Sequence, residues 1–314
     1  MASTYRLVTR SDFDGLVCAV LLRELGMIDE ITFVHPKDMQ DGKIAITDRD
    51  ITTNLPYVKA AHMVFDHHAS EITRVGDAAP NHIIDPNAFS AARVVYIHFG
   101  GAARFPGISE ELMRAVDQAD AAHYSIEEIL YPENWSLLNF LMDARTGLGR
   151  FKSFKISNYD LMMNLIDAVR NHPVEEILQQ QDVAERAELY DNHRGPASVQ
   201  LRRVSTVHQH LVVADFRQEQ TIFAANRFVL YALFPETSIS IHVLWGVKQQ
   251  NTVFAIGKSI INRSSKTHIG NLCLKYGGGG HQNAGTCQVP NEDAERVLSE
   301  LIAQIVEDGT TRDG

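Results

Sequence analysis

An α/β chain in two domains is what the sequence predicts, on three observations. Short apolar β-like runs near the amino terminus each lead into an acidic or histidine-bearing segment, and helical patterns lie between them. The middle of the chain, from Glu110 to Asn192, reads as mostly helical. From Val199 onward β runs return with helices among them. Strand, acidic loop, helix, strand marks a mostly parallel α/β sheet, and the C-terminal pattern marks a second, smaller α/β or α+β domain.

The first strand is Tyr5 to Thr9, which ends at Ser11-Asp12-Phe13-Asp14-Gly15. A helical pattern follows from Leu16 to Leu25 and is closed by Gly26. Ile31 to His35 reads as a second strand stopped by Pro36, Lys43 to Thr47 as a third, and His62 to Phe65 as a fourth running into Asp66-His67-His68. Ser90 caps a helix that reaches about Phe99 before Gly100-Gly101. Glu110 to Ala121, Leu137 to Asp143, Asn158 to Arg170 and Val174 to Asn192 are helical, the last closed by Gly195-Pro196. Leu211 to Ala214, Ser238 to Trp245 and Thr252 to Ile256 are β runs. The division is therefore a first domain over 1–192, with a helical linker from about 172, and a second over 197–308.

Composition narrows the function. The 314 residues are 45% hydrophobic, enough for two cores. Met1 to Arg10 has no apolar signal region, and no stretch reaches the roughly 18 apolar residues of a membrane span. Three scattered cysteines, Cys18, Cys273 and Cys287, exclude a disulfide framework or a zinc cluster and suit a reducing cytoplasm. A net charge of −10 argues against long duplex DNA as partner. Yet Thr237 to Asn291 holds no Asp or Glu while it carries Lys248, Lys258, Arg263, Lys266 and Lys275. Such a stretch in an acidic chain suggests a local anion-binding face.

Asp12, Asp14, Asp48, Asp50 and Asp66-His67-His68 all sit just past strand candidates, where parallel sheets collect their ligands. Mixed Asp and His donors suit manganese, cobalt or magnesium better than structural zinc. A metal pair roughly 3.5–4 Å apart would acidify a water and stabilise charge on a phosphoryl group. Each fragment alone reads more simply as an acidic turn or a solvated His pair; their joint placement at strand ends is what carries weight. Gly277 to Gly280 ahead of His281 gives backbone N–H groups freedom to converge on an anion. Lys258, Ser259, Asn262, Arg263 and Ser264 supply further donors. Arg145, Arg150, Lys152 and Lys155, around Gly147 and Gly149, are a weaker candidate, as ready to be a solvated loop. Trp135, Trp245, Phe228 and Tyr231 read as core.

The chain resembles the DHH phosphoesterase superfamily through Ser11-Asp12-Phe13-Asp14-Gly15 and Asp66-His67-His68, and the associated DHHA1 domain through Tyr276 to Gly285. Within the superfamily it is similar to the exopolyphosphatase-like branch, by Phe33 to Asp38 and Asn54 to Tyr57. The resemblance implies a mostly parallel DHH domain of five or more strands and a smaller α/β DHHA1 domain. It implies that Asp12 binds one metal and Asp14 and His67 the other, with His68 touching substrate phosphate or sitting just behind. A bridging carboxylate after the third strand would be Asp48 or Asp50, and a last ligand Asp120. Relatives often carry a His two or four positions before the first aspartate. Here Arg10 and Val8 stand there. Three arrangements are then open: a weakened first site, a replacement ligand such as His35, or Arg10 gripping phosphate beside one dominant metal.

The expectation is a cytoplasmic, Mn2+-dependent phosphohydrolase, with Co2+ or Mg2+ as alternatives. It would cleave phosphodiester or phosphoanhydride bonds of short substrates, oligonucleotides or dinucleotides, in an interdomain cleft. His68 and Arg10 are the catalytic candidates, Asp12, Asp14, Asp48, Asp50, His67 and Asp120 the metal candidates. Arg263, Gly278, Gly279, Gly280 and His281 are the substrate-binding candidates. An exopolyphosphatase and a catalytically weak nucleotide- or RNA-binding module are the competing readings. No membrane partner is expected, and a homodimer is compatible.

Overall fold

The computed structural model describes residues 4–76, 79–151 and 154–311. The chain forms two compact units. The first comprises Met1–Tyr124, Pro132–Ala144 and Leu148–Glu188, the second Ser125–Tyr131, Arg145–Gly147 and Leu189–Gly314.

In the first unit β1 (Tyr5–Arg10) leads into α1 (Phe13–Glu24), then β2 (Ile28–Val34) and the short α2 (Pro36–Gln40). β3 (Asp50–Thr53), β4 (Met63–Asp66), α3 (Ala69–Val75), β5 (His82–Ile84) and α4 (Ala91–His98) follow, and α5 (Glu110–Asp120) packs on α1 and α4. The five strands run parallel in the order β2-β1-β3-β4-β5. β1 and β3 are interior strands, so they are buried on both faces. Their threonines close on each other, Thr9 and Thr53 hydroxyls meeting at 2.7 Å. α1 is buried from Phe13 to Leu22, which its nearly unbroken apolar run dictates. Gly15 permits the close approach of α1 to β1, since a Cβ there would lie 2.0 Å from the Arg10 carbonyl oxygen.

The run Lys43 to Thr47 is a loop rather than the third strand. Its two isoleucines, Ile44 and Ile46, pack against a small cluster of Val8, Met39 and Leu55. Alternating apolar residues here mark a plugged loop, and the third strand starts only at Asp50.

α6 (Ile126–Leu130) belongs to the second unit, whereas α7 (Asn134–Met142), α8 (Asn158–Asn171) and α9 (Val174–Gln179) belong to the first. α10 (Gln181–Val204) contains the unit boundary and runs straight through Gly195-Pro196, so the expected stop there is wrong. Pro196 removes one N–H, at a cost of about 3 kcal/mol in a helix interior. Burial of Tyr190, Ala197 and Leu201 along one side outweighs it.

The second unit continues with β6 (Ser205–His208), β7 (Leu211–Asp215), α11 (Val229–Leu233), β8 (Ile239–Trp245) and β9 (Thr252–Lys258). It closes with α12 (Ile269–Leu274), β10 (Gly279–Gly280), β11 (Ala284–Val289) and α13 (Ala294–Asp308). The sheet order is β10-β11-β9-β8-β7-β6, antiparallel except for the parallel β7–β8 pair. Strict alternation explains its core. Ile239, Ile241 and Val243 face the same layer as Leu211, Val213, Phe254 and Ile256, and α12 and α13 cover it with Ile269, Leu272, Val297, Leu301 and Ile305. Phe228 and Tyr231 are buried as expected of core residues. Among the described residues no helix is long and apolar enough to cross a membrane.

His242 on β8 packs edge-on to Phe216 at 5.8 Å, and burial holds its pKa down to about 4. The unfolded chain takes up this proton near pH 6.5, the folded chain only near 4, so protonation favours unfolding. Stability should therefore be intact above pH 6.5 and fall as pH drops toward 4. The side chain keeps some exposure, so the loss is discounted to roughly 1–2 kcal/mol. Urea unfolding of wild type and His242→Phe from pH 7 to 4.5 checks this; an equally steep decline in the variant would assign the effect to other groups.

Candidate metal centre

Parallel order places the ends of β1, β3 and β4 along one edge of the first sheet, with β3 between the other two. Asp12 follows β1, Asn54 follows β3, and Asp66 closes β4 ahead of His67 and His68. Asp14 sits in the first turn of α1 and Asp120 at the last residue of α5. Asp14, His67 and Asp120 each bring one ligand atom into a group whose members all lie within 4.8 Å of one another.

Each of the three is aimed by its surroundings. Asp14 is buried, and its two oxygens accept the N–H groups of Ala91 and Ala92 at 3.1 and 2.7 Å, at the N-terminus of α4. That cap is fixed in turn by Asp117, which takes the Ser90 hydroxyl at 2.7 Å and pairs with Arg93. Asp117 thus braces α5 against α4 instead of joining the group. The His67 Nδ1 lies 3.2 Å from the Ala88 carbonyl, and donation to it leaves Nε2, 2.9 Å from Asp120 Oδ2, for the centre.

The electrostatics suit a bound cation in place of a proton. Burial, then the charges of Asp120 and Asp12, raise the Asp14 pKa well above the carboxylate range. Burial alone would depress His67, but its contact with Asp120 and the charges of Asp120 and Asp14 carry it to about 9. Asp120 also closes a helix whose last turn holds no basic residue, the end where a carboxylate is disfavoured. Two carboxylates and an imidazole, mutually repelling or proton-hungry without a partner, fit a divalent ion of the manganese, cobalt or magnesium kind.

Beside this group, Asp12 caps α1 through Gly15 N–H at 3.0 Å and pairs with Arg10 Nε at 2.9 Å. His68 Nδ1 meets Asp66 Oδ1 at 2.7 Å, and the same oxygen accepts the backbone N–H groups of His67 and His68. The His68 side chain is 45% exposed, so the ring is partly open to solvent. His35 spends its Nδ1 on the N–H of Lys37 as the cap of α2, and does not join the group.

Asp48 and Asp50 are corrected out of the centre. With β3 starting at Asp50, both stand at the N-terminal end of the strand, opposite the ligand edge. Asp50 pairs with Arg6 at 2.7 Å and takes the Thr47 N–H, while Asp48 is exposed in a turn. The residue that does follow the third strand is Asn54. It is buried at 2% exposure with φ +54, and neither Nδ2 nor Oδ1 has a hydrogen-bond partner among the described residues. The misplaced strand hid it; an Asn directly after Thr52-Thr53 was the available signal. Asp66 as the anchor of His68 was also missed.

In the second unit the glycine segment is a packed hairpin rather than an open anion nest. The N–H groups of Gly277, Gly278 and His281 bind the carbonyls of Leu274, Cys273 and Ala284, and Gly279-Gly280 pair with β11. A Cβ on Gly278 would lie 2.2 Å from the Thr286 oxygen, and one on Gly280 2.3 Å from that of Ala284. The glycines are there for close backbone packing. Arg263 and His281 are exposed. Of the weaker basic cluster, Lys152 lies outside the described residues, and Lys155 lines a cavity of about 310 Å3 with Phe154 and Arg186.

Comparison with known proteins follows the same lines. No protein-family model matches the chain, and no curated protein does. Among solved structures it is similar to the pGpG-specific phosphodiesterase PggH of Vibrio cholerae, with 58% identity, TM-score 0.87, and coverage of 98% of this chain and 100% of that one. It shares the fold of CDC45 from Entamoeba histolytica, at 10% identity, TM-score 0.54 and coverage of 97% and 95%. It shares it also with RecJ from Thermus thermophilus in complex with Mn2+, at 12% identity, TM-score 0.50 and coverage of 96% and 52%.

Proposed function

The chain belongs to the DHH phosphoesterase superfamily, and from that premise we propose that it is a metal-dependent phosphodiesterase hydrolysing short linear dinucleotides of the pGpG type. The observation that carries this reading is 58% identity, over essentially the whole of both chains, to a protein named for that substrate. The group of Asp14, His67 and Asp120 supports it with a centre of suitable chemistry.

Hydrolysis adds water across a P–O3′ bond: the water oxygen goes to phosphorus, a proton goes to the departing 3′-oxygen, and pGpG yields two mononucleotides. A divalent ion held by Asp14, His67 and Asp120, with Mn2+ favoured by the mixed carboxylate and imidazole donors, would supply Lewis-acid charge to the phosphoryl group and acidify the attacking water. His68, which Asp66 orients, is assigned the transfer of a proton to the leaving oxygen. Asp66 holds Nδ1, which fixes the ring and leaves Nε2 to exchange the proton. Arg263 and His281, both exposed on the second unit, are offered as donors to a phosphate. Three buried free cysteines favour a cytoplasmic setting.

The test is a product assay on pGpG, pApA, a cyclic dinucleotide and short polyphosphate with Mn2+, Co2+ or Mg2+. Linear dinucleotides should turn over at least ~100-fold faster than polyphosphate, a margin of about 2.7 kcal/mol in transition-state binding, and chelator should abolish it. Polyphosphate as the better substrate would establish an exopolyphosphatase. No hydrolysis of any of them would leave a binding module.

A further inference from the structure

We propose that the centre takes a single divalent ion, and that the position next to it, at the ends of β1 and β3, is an anion grip built from Arg10, Asp12 and Asn54. The inference rests on the preceding reading only for the ion on Asp14, His67 and Asp120. Among the described residues these three form the group able to hold a metal, and Asp12 is not in it.

Asp12 is committed elsewhere. One of its oxygens takes the Gly15 N–H at 3.0 Å and the other the Arg10 guanidinium at 2.9 Å. The side chains of the pair are 22% and 35% exposed, so their charges cancel in a partly covered place. Arginine does not give up its proton, so a second dication could reach Asp12 only by expelling a permanent cation. The neutral Asn54 beside the pair adds no charge to attract one.

The same three residues suit an oxygen-rich anion. Thr9 on β1 pairs with Thr53 on β3, so Arg10, the last residue of β1, and Asn54, the first after β3, come next along the two chains. Arg10 pairs with Asp12 through Nε, and its planar guanidinium carries further charged N–H donors of fixed geometry. Asn54 is buried, held at φ +54, and carries an amide whose N–H2 and oxygen have no partner among the described residues. A buried amide left unsatisfied is costly and is expected where a ligand completes the site. A phosphoryl oxygen received by Arg10 and Asn54 would satisfy the amide donor, and Asp12 would keep the guanidinium in place. A fixed guanidinium then stands where a second loaded ion would otherwise be needed.

The experiment counts ions first and anions second. Mn2+ titrated into the wild-type chain, followed by electron paramagnetic resonance and elemental analysis after dialysis, should saturate at one ion per chain. Two ions per chain with a spin-coupled signal would overturn the proposal. Inorganic phosphate is then titrated into the Mn2+-loaded protein by calorimetry. Arg10→Ala and Asn54→Gly, the latter chosen because glycine accepts φ +54, should each weaken phosphate about tenfold with the ion count unchanged. Unaltered phosphate affinity in both would remove the grip. Neither readout needs turnover, so a chain that fails to hydrolyse dinucleotides would still decide the ion count.

Discussion

Asp14→Asn should lower dinucleotide hydrolysis by at least about 10³-fold, some 4 kcal/mol of transition-state stabilisation, while the metal-free protein unfolds no more easily than wild type. The rate loss follows from geometry. Asp14 is the buried member of the three-residue group, and an amide keeps the shape but removes the charge that holds a cation. The stability side has the opposite sign. Burial and the neighbouring Asp120 and Asp12 push the Asp14 pKa well above its unfolded value, so its carboxylate opposes folding once pH exceeds that unfolded value. An asparagine escapes this penalty, and its advantage over Asp14 should widen as pH rises from about 5 toward the raised pKa. Set against that, Asp14 accepts two N–H groups from α4 and an amide oxygen can serve only one, a loss of about 1–3 kcal/mol. The net shift in the apo melting temperature is therefore small. Added Mn2+ should raise the melting temperature of the wild type and leave that of the variant where it was. Retained hydrolysis would remove Asp14 from the ligands, and a large apo destabilisation would make it a structural residue.

What could be read from the sequence was the part set by local pattern. Asp12-Phe13-Asp14-Gly15 announces a turn where helix meets strand, and the structure shows why: Gly15 lets α1 sit on the carbonyl of Arg10 while Asp12 caps the helix. The end of β4 at Asp66 and the cap at Ser90 are equally local. The centre of the sheet was not legible. Lys43 to Thr47 has the alternation of a strand, and only the tertiary cluster of Val8, Met39 and Leu55 shows Ile44 and Ile46 as plugs. That error carried Asp48 and Asp50 to the wrong end of β3 and concealed Asn54. The glycine segment failed for a related reason. Its composition fits an open anion loop and a tight hairpin alike, and the neighbouring carbonyls of Cys273, Leu274 and Ala284 decide for the hairpin. Helix α10 crossing Pro196 is a third case, where buried Tyr190 and Leu201 override a local stop.

His68→Ala should cut turnover by about 10²–10⁴-fold, the range of a positioned proton carrier, without changing how many Mn2+ ions the chain binds. The two readouts together separate roles, because loss of a ligand would lower both. His68 is not in the converging group, its Nδ1 is bound to Asp66 at 2.7 Å, and its side chain is 45% exposed. That exposure gives a further test: free imidazole should enter the space left by the deletion and restore part of the rate. Asp66 holds the His68 ring and also accepts the backbone N–H groups of His67 and His68. Asp66→Asn keeps an oxygen for the His67 and His68 N–H groups but gives up the charge-assisted bond to Nδ1, so the ring is less firmly oriented. Groups that work as one unit are not additive. The double variant should consequently be no slower than His68→Ala by more than a small factor, whereas independent roles would multiply the two losses. Multiplication of the losses, or a failure of imidazole to rescue, would make His68 a packing residue and return the proton to solvent.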